Sequence, residues 1–152
     1  IVGYNFGAQK IDRVKQTLKL GIVSGVVITS SGFFICELFP HAVSAIFTDS
    51  DHLIDLAVDG LRITVIMFPF VGAQIVIGNF FQSIGKAKIS IFLSLTRQLL
   101  YLLPCLLLFP NWWGLKGIWI SMPVSDALAF ITAVVSLIIY IKKVSKQHPI
   151  AE

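Results

Sequence analysis

The most chemistry-like spacing in the chain is the run Gly78 to Lys88, GNFFQSIGKAK. A glycine-rich stretch ending in Gly-Lys can cradle a nucleotide's phosphates, or it can be the polar end of a membrane helix where lysines meet the headgroups. The phosphate loop requires Gly, four residues, then Gly-Lys-Ser/Thr, because backbone N–H groups curl around the phosphates and a hydroxyl reaches Mg²⁺. Here Phe80 stands where the first glycine belongs, Ala87 stands where the hydroxyl belongs, and no β-branched strand precedes the run. The pattern does not fit a nucleotide site. His41, His52 and His148 lie in or near polar stretches with no HExxH or comparable partner set, and Cys36 and Cys105 lie apart in apolar runs without metal-ligand spacing. No metal centre and no bound cofactor is expected, and the cysteines read as free thiols serving as small hydrophobes. What remains is Arg97 and Asp126, two ionisable groups inside otherwise apolar segments.

The segments that must position them are unusual in composition. The 152-residue chain is 56% hydrophobic and 13% charged, with a mean hydropathy of +0.86, whereas a soluble domain carries about a quarter charged residues. A helix crossing roughly 30 Å of hydrocarbon needs about 20 apolar residues, and four intervals meet that length: about 20–47, 63–85, 89–110 and 117–141. The first of these could tilt, or bend near Pro40. The sequence therefore predicts an all-α integral membrane chain with four transmembrane helices.

Lys and Arg favour the cytoplasmic side of short loops. Lys10, Arg13, Lys15, Lys19, Lys86, Lys88, Lys142, Lys143 and Lys146 fall on one side of these spans, against Arg62 and Lys116 on the other. Both ends of the chain are expected in the cytoplasm, with Lys86 and Lys88 as anchors between the second and third helices. The acidic link with Asp49, Asp51, Asp55 and Asp59 then faces outward, as do Trp112, Trp113 and Trp119 at the outer interface. Basic residues at membrane boundaries explain a pI near 9.2, so no nucleic-acid partner is expected.

Within the spans, Arg97 lies nine residues beyond Lys88 and Asp126 nine beyond Gly117, each about 14 Å along its helix from opposite faces of the bilayer. Matched depth on consecutive antiparallel helices predicts an Arg97–Asp126 ion pair or shared network, either as glue between helices or as part of gating and coupling. In the second span Gln74, Gly78 and Gln82 repeat every four residues, share a face with Gly85, and are flanked by Asn79. Small and amide side chains suit close helix packing, or a stripe lining a cleft. Pro40, Pro69, Pro104 and Pro123 each remove a helix hydrogen bond, which makes Pro69, Pro104 and Pro123 hinge candidates. Glu37 and Asp59 read as solvated boundary charges.

The opening IVGYNFGAQKIDRVKQTLKL, with Ile rather than Met in first place, looks like the tail of a helix already under way, and a piece of a longer chain is expected. This stretch resembles the cytoplasmic connection in the second half of the multidrug and toxic compound extrusion (MATE) transporters. LRITVIMFPFVGAQIVIGNFFQSIGKAKIS, SLTRQLLYLLP and GLKGIWISMPVSDALAFI resemble the family's later helices in the same order.

The resemblance implies that the four spans are the last part of the C-terminal six-helix lobe of a twelve-helix transporter, whose partners are the bilayer and the remaining N-terminal helices of the same protein. It implies secondary active multidrug efflux from a bacterial inner membrane, with amphipathic or cationic drugs as cargo and Na⁺ or H⁺ as the coupling ion. Some members carry a carboxylate in the helix corresponding to residues 63–85, which this chain lacks, so the coupling ion stays open. A lipid-linked saccharide flippase of related architecture would predict a more basic cleft. A membrane-embedded enzyme would need a converging nucleophile and base that these spans do not offer.

Overall fold

The computed structural model describes residues 1–147; His148 and the side chain of Lys146 lie outside what it describes. The described chain is helical, with α1 Val2–Gly7, α2 Ile11–Leu38, α3 Pro40–Ala45, α4 Asp51–Thr64, α5 Phe68–Ser83, α6 Ala87–Leu95 and α7 Leu103–Gln147. A 3₁₀ turn, Val65–Met67, joins α4 to α5, and a π-helical segment, Thr96–Leu102, joins α6 to α7.

Three apolar runs are long enough to cross a membrane: Ile11–Leu38, Asp51–Ser83 and Ala87–Val144. The last holds 58 residues, about 87 Å if straight and far more than one bilayer. It doubles back at Gly114, where φ 53° and ψ −134° break the helix. The return is tight, since a Cβ on Gly117 would fall on the Phe109 carbonyl. The two limbs, 103–113 and 115–147, therefore belong to separate passes, and the described residues make four.

The boundaries differ from the sequence-based ones in two places. The first span begins at Ile11 rather than near 20 and ends at Leu38, because Phe39 (φ −126°, ψ 47°) leaves the helical region and Pro40 opens a separate short helix. The Pro40 bend expected inside that span is thus a break. The outward acidic link also shrinks, since Asp51, Asp55 and Asp59 lie on α4, which continues into α5. Their spacing of four puts the carboxylates on one exposed face while Val58 and Gly60 are buried. Asp51 in the first turn and Arg62 in the last suit the helix dipole.

At the basic end, Val14 and Leu18 of α2, Phe80 and Phe81 of α5, Leu93 of α6 and Ala133 and Leu137 of α7 form the apolar core. Phe81 and Tyr140 meet edge to face at 5.5 Å. Toward the opposite end, α2 and α5 approach until their backbones nearly touch. A Cβ on Gly72 would fall on the Gly25 carbonyl and Thr29 Oγ1, and one on Gly21 or Gly25 would press on Val76. Gly21 and Gly25 form a small-xxx-small pair of the kind that lets membrane helices pack closely. Trp119 lies against Gly60 and joins the last pass to α4, while Trp112 and Trp113 stay exposed beside the Gly114 turn.

The run GNFFQSIGKAK ends α5 in a Schellman turn. Lys86 N–H donates to the Phe81 carbonyl at 2.8 Å and Gly85 N–H to that of Gln82 at 3.1 Å, with Gly85 at φ 76°. The same geometry closes α1, with Gln9 at φ 57° in the position that favours glycine.

Candidate functional site

Arg97 Nε donates to Asp126 Oδ1 at 2.8 Å across 29 residues of sequence. The side chain of Asp126 is 8% exposed and that of Arg97 36%, so the carboxylate is shielded while the guanidinium reaches open space. Only Nε is committed to Asp126, and the terminal amino groups are what an occupant of that space would meet. Arg97 sits in the π-helical segment, whose wider turn shifts side chains out of ordinary helical register and recurs at functional positions. Tyr101, one turn on, bonds Thr132 Oγ1 at 2.8 Å. Thr132 spends its own hydrogen on the Leu128 carbonyl, so the Tyr101 hydroxyl is the donor.

Beside the pair, α5, α6 and the π-helical segment border a half-open cavity of about 200 Å³ lined by Gln74, Gly78, Asn79, Ser90, Ser94, Arg97 and Gln98, with Ile75 and Leu93 as apolar wall. The structure thus brings Gln74, Asn79, Arg97 and, through its ion pair, Asp126 to one place. Gln82 is not part of it; it is exposed farther along α5. The four-residue stripe also stops short of Gly85, which lies beyond the end of α5 in the Schellman turn and not on a helical face.

Gln74 is 8% exposed, and its Oε1 has no hydrogen-bond partner among the described residues; Thr96 Oγ1 is in the same position. Leaving such a group unpaired costs about 1–3 kcal/mol. The Gln74 carbonyl therefore calls for water or another polar partner at the cavity. Ser90, Ser94, Arg97 and Gln98 follow one another at intervals of four, three and one, a helical-face spacing that the sequence carries alongside the α5 stripe.

The proline candidates lie at distinct kinds of position. Pro69 opens α5 just after the 3₁₀ turn, Pro104 follows the π-helical segment, and Pro123 is buried inside the second limb of α7. Near Pro123, Ser121 and Ser125 turn their hydroxyls onto the Gly117 and Met122 carbonyls. Cys36 and Cys105 are free and half-buried, and no group of three or more His, Cys, Asp or Glu residues gathers among the described residues. Glu37 Oε1 stands 3.8 Å from Arg62 Nε with both side chains about half exposed, an arrangement worth little in solvent.

The family model MatE matches residues 1–107. Among solved structures, a chain described only as "protein A" is 39% identical, with 90% of this chain and 31% of that one covered and a TM-score of 0.84. An inward-facing conformation of a multidrug resistance MATE family transporter of the MOP superfamily is 20% identical, with 96% of this chain and 34% of that one covered and a TM-score of 0.89. An outward-facing conformation of a transporter of the same description is 20% identical, covering 95% and 33%, with a TM-score of 0.88. The chain spans about a third of the length of these structures. No curated protein matches the sequence.

Proposed function

The chain belongs to the MatE family, and on that premise we propose that it is the last part of a secondary active multidrug efflux transporter in a bacterial inner membrane. The cargo is amphipathic or cationic drug, exchanged for Na⁺ or H⁺ by alternating access against the N-terminal helices of the same protein. Both ends of the chain lie in the cytoplasm.

The observation that carries this reading is the α5–α6 cavity, where Gln74, Asn79 and the Arg97–Asp126 pair place donors and acceptors inside apolar helices. Polar groups in a bilayer are expensive and mark transport pathways. The ion pair holds the third and fourth passes in register and presents the guanidinium to the pathway, and Gln82 lies exposed on the cytoplasmic side of it. Among the described residues Arg97 is the one basic residue lining this cavity, whereas a lipid-linked saccharide, with its anionic phosphate or pyrophosphate, would call for a more basic cleft.

The fold resembles inward-facing and outward-facing structures about equally, with TM-scores of 0.89 and 0.88. That supports a motion in which these helices travel as one body, with Pro69, Pro104 and Pro123 setting their shape or flexing only slightly. The test is efflux of a fluorescent cationic drug from vesicles holding the full-length protein. Export that follows an imposed Na⁺ or H⁺ gradient is the expected result, and export that ignores both gradients sinks the antiport reading.

A further inference from the structure

At the basic end of the molecule a second cavity, about 830 Å³, opens between the α1–α2 turn, the α5–α6 turn and the end of α7. It shares no residue with the polar cavity between α5 and α6. Its rim carries Lys86 and Lys143, both exposed, and neither forms an ion pair among the described residues. Below the rim its wall is mostly apolar, with Ile89 and Phe92 on α6 facing Ile139 and Tyr140 on α7, and the Ser136 hydroxyl in it is bonded to the Thr132 carbonyl.

Phe92 lies six residues from Lys86 and Ile139 four from Lys143, so the wall runs about 6–9 Å from the ammonium level toward the bilayer centre. Phe92 and Ile139 are 53% and 62% exposed, so the described residues leave this wall largely uncovered. A cavity with two lysines at the headgroup level, neither paired among the described residues, and an apolar slot beneath matches a molecule built the same way.

We propose that this cavity binds one anionic phospholipid. The lipid phosphate sits between Lys86 and Lys143, and an acyl chain lies along Ile89, Phe92 and Ile139. A free phosphate would use the rim and leave the slot empty; a neutral or zwitterionic lipid would fill the slot and leave the lysines uncompensated. Lysines near an anionic headgroup contribute about 1 kcal/mol each, so two of them distinguish anionic from zwitterionic lipid by about 30-fold. Lys10 and Lys19 lie on the same end but do not line the cavity, and they provide the charge-matched control. The proposal depends on the chain being in a membrane and not on what it transports, so a failed efflux assay leaves it standing.

The test is native mass spectrometry of the full-length protein in detergent, titrated with phosphatidylglycerol, with phosphatidylethanolamine, and with phosphatidylglycerol in the presence of inorganic phosphate. The parent should retain phosphatidylglycerol about 30-fold more tightly than phosphatidylethanolamine, with inorganic phosphate failing to displace it. Lys86→Gln with Lys143→Gln should remove that preference, and Phe92→Gln should weaken both lipids alike. Lys10→Gln with Lys19→Gln should change neither. Retention of phosphatidylglycerol by the Lys86/Lys143 variant within twofold of the parent overturns the proposal. So does an equal loss in the Lys10/Lys19 control, or displacement by inorganic phosphate. A melting temperature unchanged without lipid establishes that the variants are folded.

Discussion

Along α5, the side facing α2 sets Gly72 and Val76 against Gly21 and Gly25, whereas the side facing α6 sets Gln74 and Asn79 around a cavity shared with Arg97. The first seam has no room for a methyl group at Gly72. On the second, a methyl group at Gly78 would touch nothing within 4 Å. Lipid tails are as apolar as leucine, so helices gain little by merely burying apolar surface against one another, and close backbone contact or interhelical hydrogen bonding must supply the association. The α2 seam uses the first means, and the contact of the third and fourth passes uses the second, through Arg97–Asp126 and Tyr101–Thr132. One seam is a fixed joint; the other keeps Gln74, Asn79 and Arg97 around a cavity.

The largest effect expected of any single change is at the fixed joint. Gly72→Leu should destabilise the full-length protein by about 3 kcal/mol, the upper end for overpacking, and lower its melting temperature, while Gly78→Ala should leave that temperature within a degree or two. Equal sensitivity at the two glycines would erase the distinction between the seams.

Next in size is the ion pair. Arg97→Asp or Asp126→Arg should cost about 2 kcal/mol, less than a fully buried pair because Arg97 is partly exposed. Either change should also abolish efflux, and the double swap should restore at least half of the stability. If the swap restores stability but not efflux, the pair does more than hold helices together; if it restores neither, the pairing does not account for their joint effect.

Smallest is Tyr101→Phe, which removes one neutral hydrogen bond and leaves Thr132 bonded to the Leu128 carbonyl. A loss of about 1 kcal/mol is expected in chemical denaturation. A loss well above that would make Tyr101 part of a larger network than the Thr132 bond.

Several of these contacts could be read ahead of the fold. Arg97 and Asp126 were matched by depth alone, because the rise per residue and the thickness of a bilayer convert spacing from a boundary charge into height. Only a partner on a neighbouring helix at the same height can compensate a buried charge, and that narrowed the choice to one. Gly21 and Gly25 carry a legible small-xxx-small signal. The break at Phe39 was partly legible, because Pro40 follows it and a residue before proline is pushed out of the helical region. The continuation of α4 into α5 was not, since the charges of Asp51, Asp55 and Asp59 suit an exposed helix face as well as a loop.

By itself, the sequence determined that the chain lives in a bilayer, roughly where it crosses, and which end carries the lysines, since these follow from hydropathy and charge accumulated over about 20 residues at a time. Tertiary structure alone decided which faces of those helices meet. It turned Gly114 into the reversal that separates two passes, widened the helix at Thr96–Leu102 so that Arg97 reaches Asp126, and left Gln82 outside the cavity that Gln74 and Asn79 line. Helix rotation about its own axis costs nothing in hydropathy and is set only by side chains fitting against a neighbour, so no single stretch of sequence contains it.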